Sequence, residues 1–126
     1  MDIPLELRYH SDHTWARREG DAVRVGITDF AQAALGDIVF VGLPAPGDEF
    51  DQAAQLGEIE STKSVSEIYA PVAGTVITVN AALADAPEQL NQDPYGDGWI
   101  CELEITADGA LDGLLDADGY RALTDS

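Results

Sequence analysis

The chain has 126 residues, 45% of them hydrophobic, and 24 acidic against 6 basic side chains give it a formal net charge of −18. Such a surface repels nucleic acid and anionic membrane, because both are gripped through lysine and arginine contacts to phosphate. No apolar run approaches the roughly 20 residues needed to span a bilayer, and length and composition suit one soluble domain over residues 1–126.

The opening Met1-Asp2-Ile3-Pro4-Leu5-Glu6 lacks the basic and apolar regions of a signal peptide, and it is not the arginine-rich, acid-poor stretch of a transit peptide. A cytoplasmic, prokaryotic location is expected, with a mature organellar form as the alternative. Scarce lysine beside abundant aspartate also points to a salt-adapted source. Leu7-Arg8-Tyr9 begins an extended stretch that passes Trp15 and stops at the turn Glu19-Gly20-Asp21. Val23, Val25 and Ile27 then alternate with Arg24 and Gly26, the period of a half-buried strand. Thr28 or Asp29 is placed to cap a short helix over Phe30 to Leu35, and Gly36 stands where a helix ends. Ile38-Val39-Phe40-Val41 is a compact strand, stopped by the prolines and glycine of Leu43-Pro44-Ala45-Pro46-Gly47.

Residues of about 55–70 read as a β-hairpin. Gln55 to Glu60 and Val65 to Ala70 are the strands, and Ser61, Thr62, Lys63 and Ser64 form the tip, small polar residues around one long amine. Thr75-Val76-Ile77-Thr78-Val79 is a β-branched strand. Asn80 is placed to cap a helical turn over Ala81 to Ala84, and residues 87–98 read as a loop. Trp99 to Ile105 is the last strand, with Trp99, Cys101, Leu103 and Ile105 on one face and Glu102 and Glu104 on the other. That pattern predicts a buried, reduced Cys101, which has no partner cysteine. Leu111, Leu114, Leu115, Tyr120 and Leu123 then take helical spacing, predicting two short helices over about 108–123, with Asp116 capping the second. His10 and His13 have no cysteine or third histidine at metal-ligand spacing, so no metal site is expected. No Ser/His/Asp set or phosphate loop is visible either, so no catalytic residue and no enzyme activity are expected.

Lys63 is the only lysine in the chain. It can be a catalytic amine, a modified amine or an ordinary solvated turn residue. A nucleophilic lysine needs an apolar pocket or cationic neighbours to shed its proton. Here Glu58, Glu60 and Glu67 favour the ammonium form, so Schiff-base chemistry is disfavoured. A lysine kept for solubility alone fits poorly with a surface that uses lysine nowhere else. Acylation remains, with the hairpin holding the amine clear of the body for a ligase.

Glu60-Ser61-Thr62-Lys63-Ser64, followed by Tyr69-Ala70-Pro71-Val72-Ala73-Gly74, resembles the lipoyl-lysine hairpin of glycine cleavage system H proteins. The usual family form has valine and alanine where Thr62 and Ser64 stand. Val25 to Gln32, Leu35 to Val41 and Asn91 to Trp99 match the family in the same order, so the resemblance covers most of the chain. Biotin carriers are similar but flank their lysine with methionines, and the only methionine here is Met1. A biotin carrier domain and an unmodified lipoyl-like binding domain are the alternatives.

The resemblance implies a mainly β fold, the barrel-sandwich hybrid of lipoyl domains, with short peripheral and C-terminal helices. It implies a non-catalytic carrier in glycine catabolism and one-carbon metabolism, with lipoic acid covalently attached to Lys63. The implied partners are a pyridoxal-phosphate glycine decarboxylase, a tetrahydrofolate-dependent aminomethyltransferase, a flavin-dependent dihydrolipoyl dehydrogenase and the lipoylating enzymes. Glu60, Ser61, Thr62, Ser64 and Glu67 are assigned to hairpin shape and recognition. One departure stands out. The family commonly reads Ser-His-Glu-Trp where this chain has Asp12-His13-Thr14-Trp15, in a stretch that lines the cleft receiving the arm. Alternation along an extended strand puts Asp12 and Thr14 on one side, so Asp12, with Glu67, is expected to replace the missing carboxylate.

Overall fold

The computed structural model describes residues 2–105, 109 and 111–124. The chain runs β1 (Arg8–His10), β2 (Thr14–Glu19), β3 (Ala22–Ile27), α1 (Asp29–Leu35), β4 (Ile38–Gly42), β5 (Glu49–Phe50), β6 (Gln55–Ser61), β7 (Val65–Tyr69), β8 (Gly74–Val79), α2 (Ala82–Asp85), α3 (Gln89–Gln92), β9 (Cys101–Glu104) and α4 (Ala117–Thr124). The strands form two antiparallel sheets, one ordered β1-β2-β3-β9-β8-β5 and the other β4-β6-β7. This is the mainly β architecture with short helices that the sequence predicts. Among the described residues, no helix is long and apolar enough to cross a membrane.

The alternating residues of β3 do what their period requires: Val23, Val25 and Ile27 are buried, facing Val41, Ile59 and Ile68 of the smaller sheet in one core. Cys101 belongs to that core, and burial pushes its thiol pKa up to about 12, which leaves it unreactive at neutral pH. A second cluster joins the two ends of the chain: Leu7, Tyr9, Trp15, Ala117 and Tyr120 pack together, with Tyr9 and Tyr120 stacked at 4.7 Å. The C-terminal segment therefore closes an open end of the β core.

Four local expectations are corrected. Instead of two C-terminal helices, the described residues hold one, α4, after a turn at residues 111–113; residues 106–108 and 110 lie outside the description. Asp116 does cap that helix, accepting from the Gly119 N–H at 2.8 Å. Asn80 does not cap α2. Its amide donates to the carbonyls of Asp97 and Trp99, both at 2.8 Å, because the folded-back loop offers two unpaired acceptors. That loop also contains a helical turn, α3, built on Gln89–Gln92. Trp99 precedes β9 and packs in the second cluster, with the Arg24 guanidinium 4.5 Å from its ring centre.

Candidate functional site

The tip between β6 and β7 is built by Ser61. Its N–H donates to the Ser64 carbonyl at 2.8 Å, and its hydroxyl receives the N–H groups of Lys63 at 3.2 Å and Ser64 at 3.1 Å. A short hydroxyl that satisfies several turn amides fixes a sharp reversal. The Thr62 N–H donates to the Asp37 carbonyl at 3.0 Å, which docks the tip on the loop after α1. Thr62, Lys63 and Ser64 are exposed. Among the described residues no ion pair ties up the Lys63 ammonium. Glu60 lies between Phe40 and Val65 across the smaller sheet, and Glu58 stands directly opposite Glu67. Like charges in register disfavour pairing, so the hairpin carries an acidic stripe at some cost to itself.

Beside the hairpin lies a cleft of about 150 Å³. Its walls are apolar, from Ile27, Phe30, Leu35, Ile59 and Ile68, and its polar groups come from Asp12, His13, Thr14, Ser66 and Glu67. The expected trio of Asp12, Thr14 and Glu67 is thus brought together, but not by strand alternation. Asp12 is in the turn between β1 and β2, and His13 takes a left-handed φ of 68° that rotates Thr14 inward. Thr14 is 1% exposed and its hydroxyl has no hydrogen-bond partner among the described residues, an unusual state for a buried polar group. Asp12 is exposed, with Oδ2 3.3 Å from His10 Nδ1. Glu67 accepts a hydrogen bond from the Tyr69 hydroxyl, and this raises the pKa of that phenol.

Sequence reasoning missed the other members of the site. His13 Nδ1 and Tyr120 Oη are 2.7 Å apart, and Tyr120 Oη is 2.7 Å from Thr28 Oγ1, the hydroxyl that caps α1 by accepting from the Ala31 N–H. The His13 ring stacks on Phe30 at 4.7 Å. Burial lowers the His13 pKa below its ordinary value, with Asp12 opposing, so the ring is neutral at neutral pH. Through Tyr120, α4 therefore holds both the cleft histidine and the cap of the helix that forms the cleft wall. The Thr28 cap and the Gly36 stop mark that wall as a helix in the sequence, but nothing there joins it to Tyr120.

The arrangement suits a group that is mostly hydrocarbon, tethered at an exposed amine and carrying a polar or cationic end. The family model described as Glycine cleavage H-protein matches residues 7–126. A glycine cleavage system H protein of Mycobacterium sp. (strain KMS) is 55% identical over 126 residues, covering 97% of this chain and 96% of that relative. A probable glycine cleavage system H protein of Natronomonas pharaonis is 54% identical over 122 residues, with 97% and 96% covered. Among solved structures, the crystal structure of a glycine cleavage system H protein from Mycobacterium marinum is similar with a TM-score of 0.90 and 41% identity, covering 98% of this chain and 100% of that one.

Proposed function

The chain belongs to the glycine cleavage H-protein family, and on that premise we propose that Lys63 carries a lipoyl group in amide linkage. The protein then serves as a non-catalytic shuttle. It takes the aminomethyl group of glycine from the decarboxylase to the aminomethyltransferase and presents the resulting dithiol to dihydrolipoyl dehydrogenase. The observation that carries this reading is the sole lysine on the exposed tip of a Ser61-braced hairpin, next to an apolar cleft. The bound group supplies a cyclic disulfide, in which one sulfur keeps a transferred group while the other becomes a thiol.

The residues present fit such a group. Ile27, Phe30, Leu35, Ile59 and Ile68 offer apolar contact and exclude water, and the unpartnered Thr14 hydroxyl supplies both a proton and lone pairs. Asp12 and Glu67 provide carboxylates for a protonated amine at the cleft. Glu60, Ser61, Thr62 and Ser64 shape the tip that lipoylating enzymes must recognise. The acidic surface favours partners whose docking faces are basic.

Asp12→Asn tests the cleft. A hydrogen bond assisted by charge contributes about 1.5–3 kcal/mol, but exposure of Asp12 screens it, so the cargo lifetime is expected to fall several-fold. The measurement is formaldehyde release from the loaded carrier, wild type against Asp12→Asn and Thr14→Glu. Thr14→Glu places a carboxylate at a position that is 1% exposed, so the empty protein is expected to lose stability. If Asp12→Asn releases no faster while Thr14→Glu protects strongly, Asp12 has no part in holding the amine.

A further inference from the structure

We propose that Gly36 is a positioning residue, a bare saddle that seats the methylene stem of Lys63 and aims it along α1 into the cleft. A Cβ on Gly36 would lie 2.9 Å from Lys63 Cε, 3.6 Å from Nζ and 3.9 Å from Cδ. The last three atoms of the only lysine thus lie across this one α-carbon, and any side chain there would displace them. The backbone at Gly36, φ 78° and ψ −151°, is one that residues with a Cβ rarely adopt.

The saddle is held in place from below. The Gly36 N–H donates to the Gln32 carbonyl at 3.0 Å, ending α1. Its carbonyl accepts from Asn91 Nδ2 at 2.7 Å, and Asn91 Oδ1 accepts from the Ile38 N–H at 2.9 Å. One asparagine on α3 therefore clamps both sides of Asp37, the residue whose carbonyl receives the Thr62 N–H of the hairpin tip. Saddle and tip are tied to the same short loop, so the stem and its seat keep their register.

The direction follows from the helix. Leu35, Ala34 and Ala31 line the cleft, and Ala31 is five residues before Gly36, about 7.5 Å along a helix axis. Two of these three side chains are alanines, which leave a low path from the saddle to the cleft. A stem seated on Gly36 starts that path at its near end.

The consequence for cargo rests on the reading of Lys63 as the attachment point, but the saddle is a property of the bare amine and is tested there. Because Lys63 is the only lysine, labelling with an amine-reactive ester followed by peptide mapping reports its accessibility without interference from other side-chain amines. In unmodified wild type, a nuclear Overhauser contact between Gly36 Hα and Lys63 Hε is expected. Gly36→Ala should remove the contact and, by freeing an ordered lysine side chain, raise the labelling rate roughly threefold or more. Alanine at this φ is strained, so a melt must accompany the assay. Asn91→Ala, which leaves Gly36 intact but releases its carbonyl, is the second variant and should move labelling in the same direction. Absence of the contact in wild type, or wild-type labelling in folded Asn91→Ala and Gly36→Ala proteins, overturns the saddle. Failure of lipoyl attachment would leave these measurements unchanged and would count against the proposed function alone.

Discussion

Lys63→Arg is expected to give a protein that folds like the wild type and carries nothing. Lys63 is exposed and its ammonium makes no ion pair among the described residues, so an arginine that keeps the charge should change stability by less than about 0.5 kcal/mol. The turn is set by Ser61, whose hydroxyl bonds to backbone atoms and not to the lysine side chain. A guanidinium offers no amine for amide formation and stays protonated at any accessible pH. Glycine-dependent one-carbon transfer, reconstituted with the partner enzymes, should therefore fall to background. Transfer at an appreciable rate by Lys63→Arg would remove Lys63 from the function.

The largest loss of stability is expected at Trp15. Its side chain is 0% exposed, and its Nε1–H donates to the Pro94 carbonyl at 2.9 Å. The indole lies flat against Gly26, the residue opposite it on β3: a Cβ there would come within 2.6 Å of three ring atoms. Trp15→Ala removes this contact, opens a cavity and strands the Pro94 carbonyl. Such truncations cost about 3–5 kcal/mol, which for a chain of this size lowers the melting temperature by roughly 10–20 °C. Trp15→Phe keeps most of the ring and loses the hydrogen bond, so its cost should be nearer 1–2 kcal/mol, as a rough guide. A thermal melt compares the two directly. A Trp15→Ala protein melting within a few degrees of wild type would mean that the second core cluster contributes little.

The parts of the site that the sequence disclosed are those made by neighbours in the chain. The hairpin, its serine-rich tip and the Thr28-capped α1 each follow from fewer than about twenty consecutive residues, where periodicity and capping chemistry are strong. Strand alternation does not explain why Asp12 and Thr14 share the cleft: a left-handed His13 brings them there, and nothing in an Asp-His-Thr-Trp string announces that φ. The remaining supports join residues far apart in the chain. Tyr120 reaches His13 and Thr28, and Asn91 reaches Gly36 and Ile38. Those bonds depend on how the sheets and helices pack, which local pattern does not encode. The C-terminal leucines illustrate the same limit: their helical spacing implies two helices where the described residues hold one, α4, whose Tyr120 packs into the second cluster.

The central claim is that Lys63 is the covalent attachment point of a lipoyl group. It is tested most directly by intact mass and peptide mapping of protein produced alongside active lipoylating enzymes. The account predicts a single lipoyl increment, confined to the peptide that contains Lys63 and absent from Lys63→Arg. A homogeneous unmodified mass, or a biotinyl increment on that peptide, would contradict it.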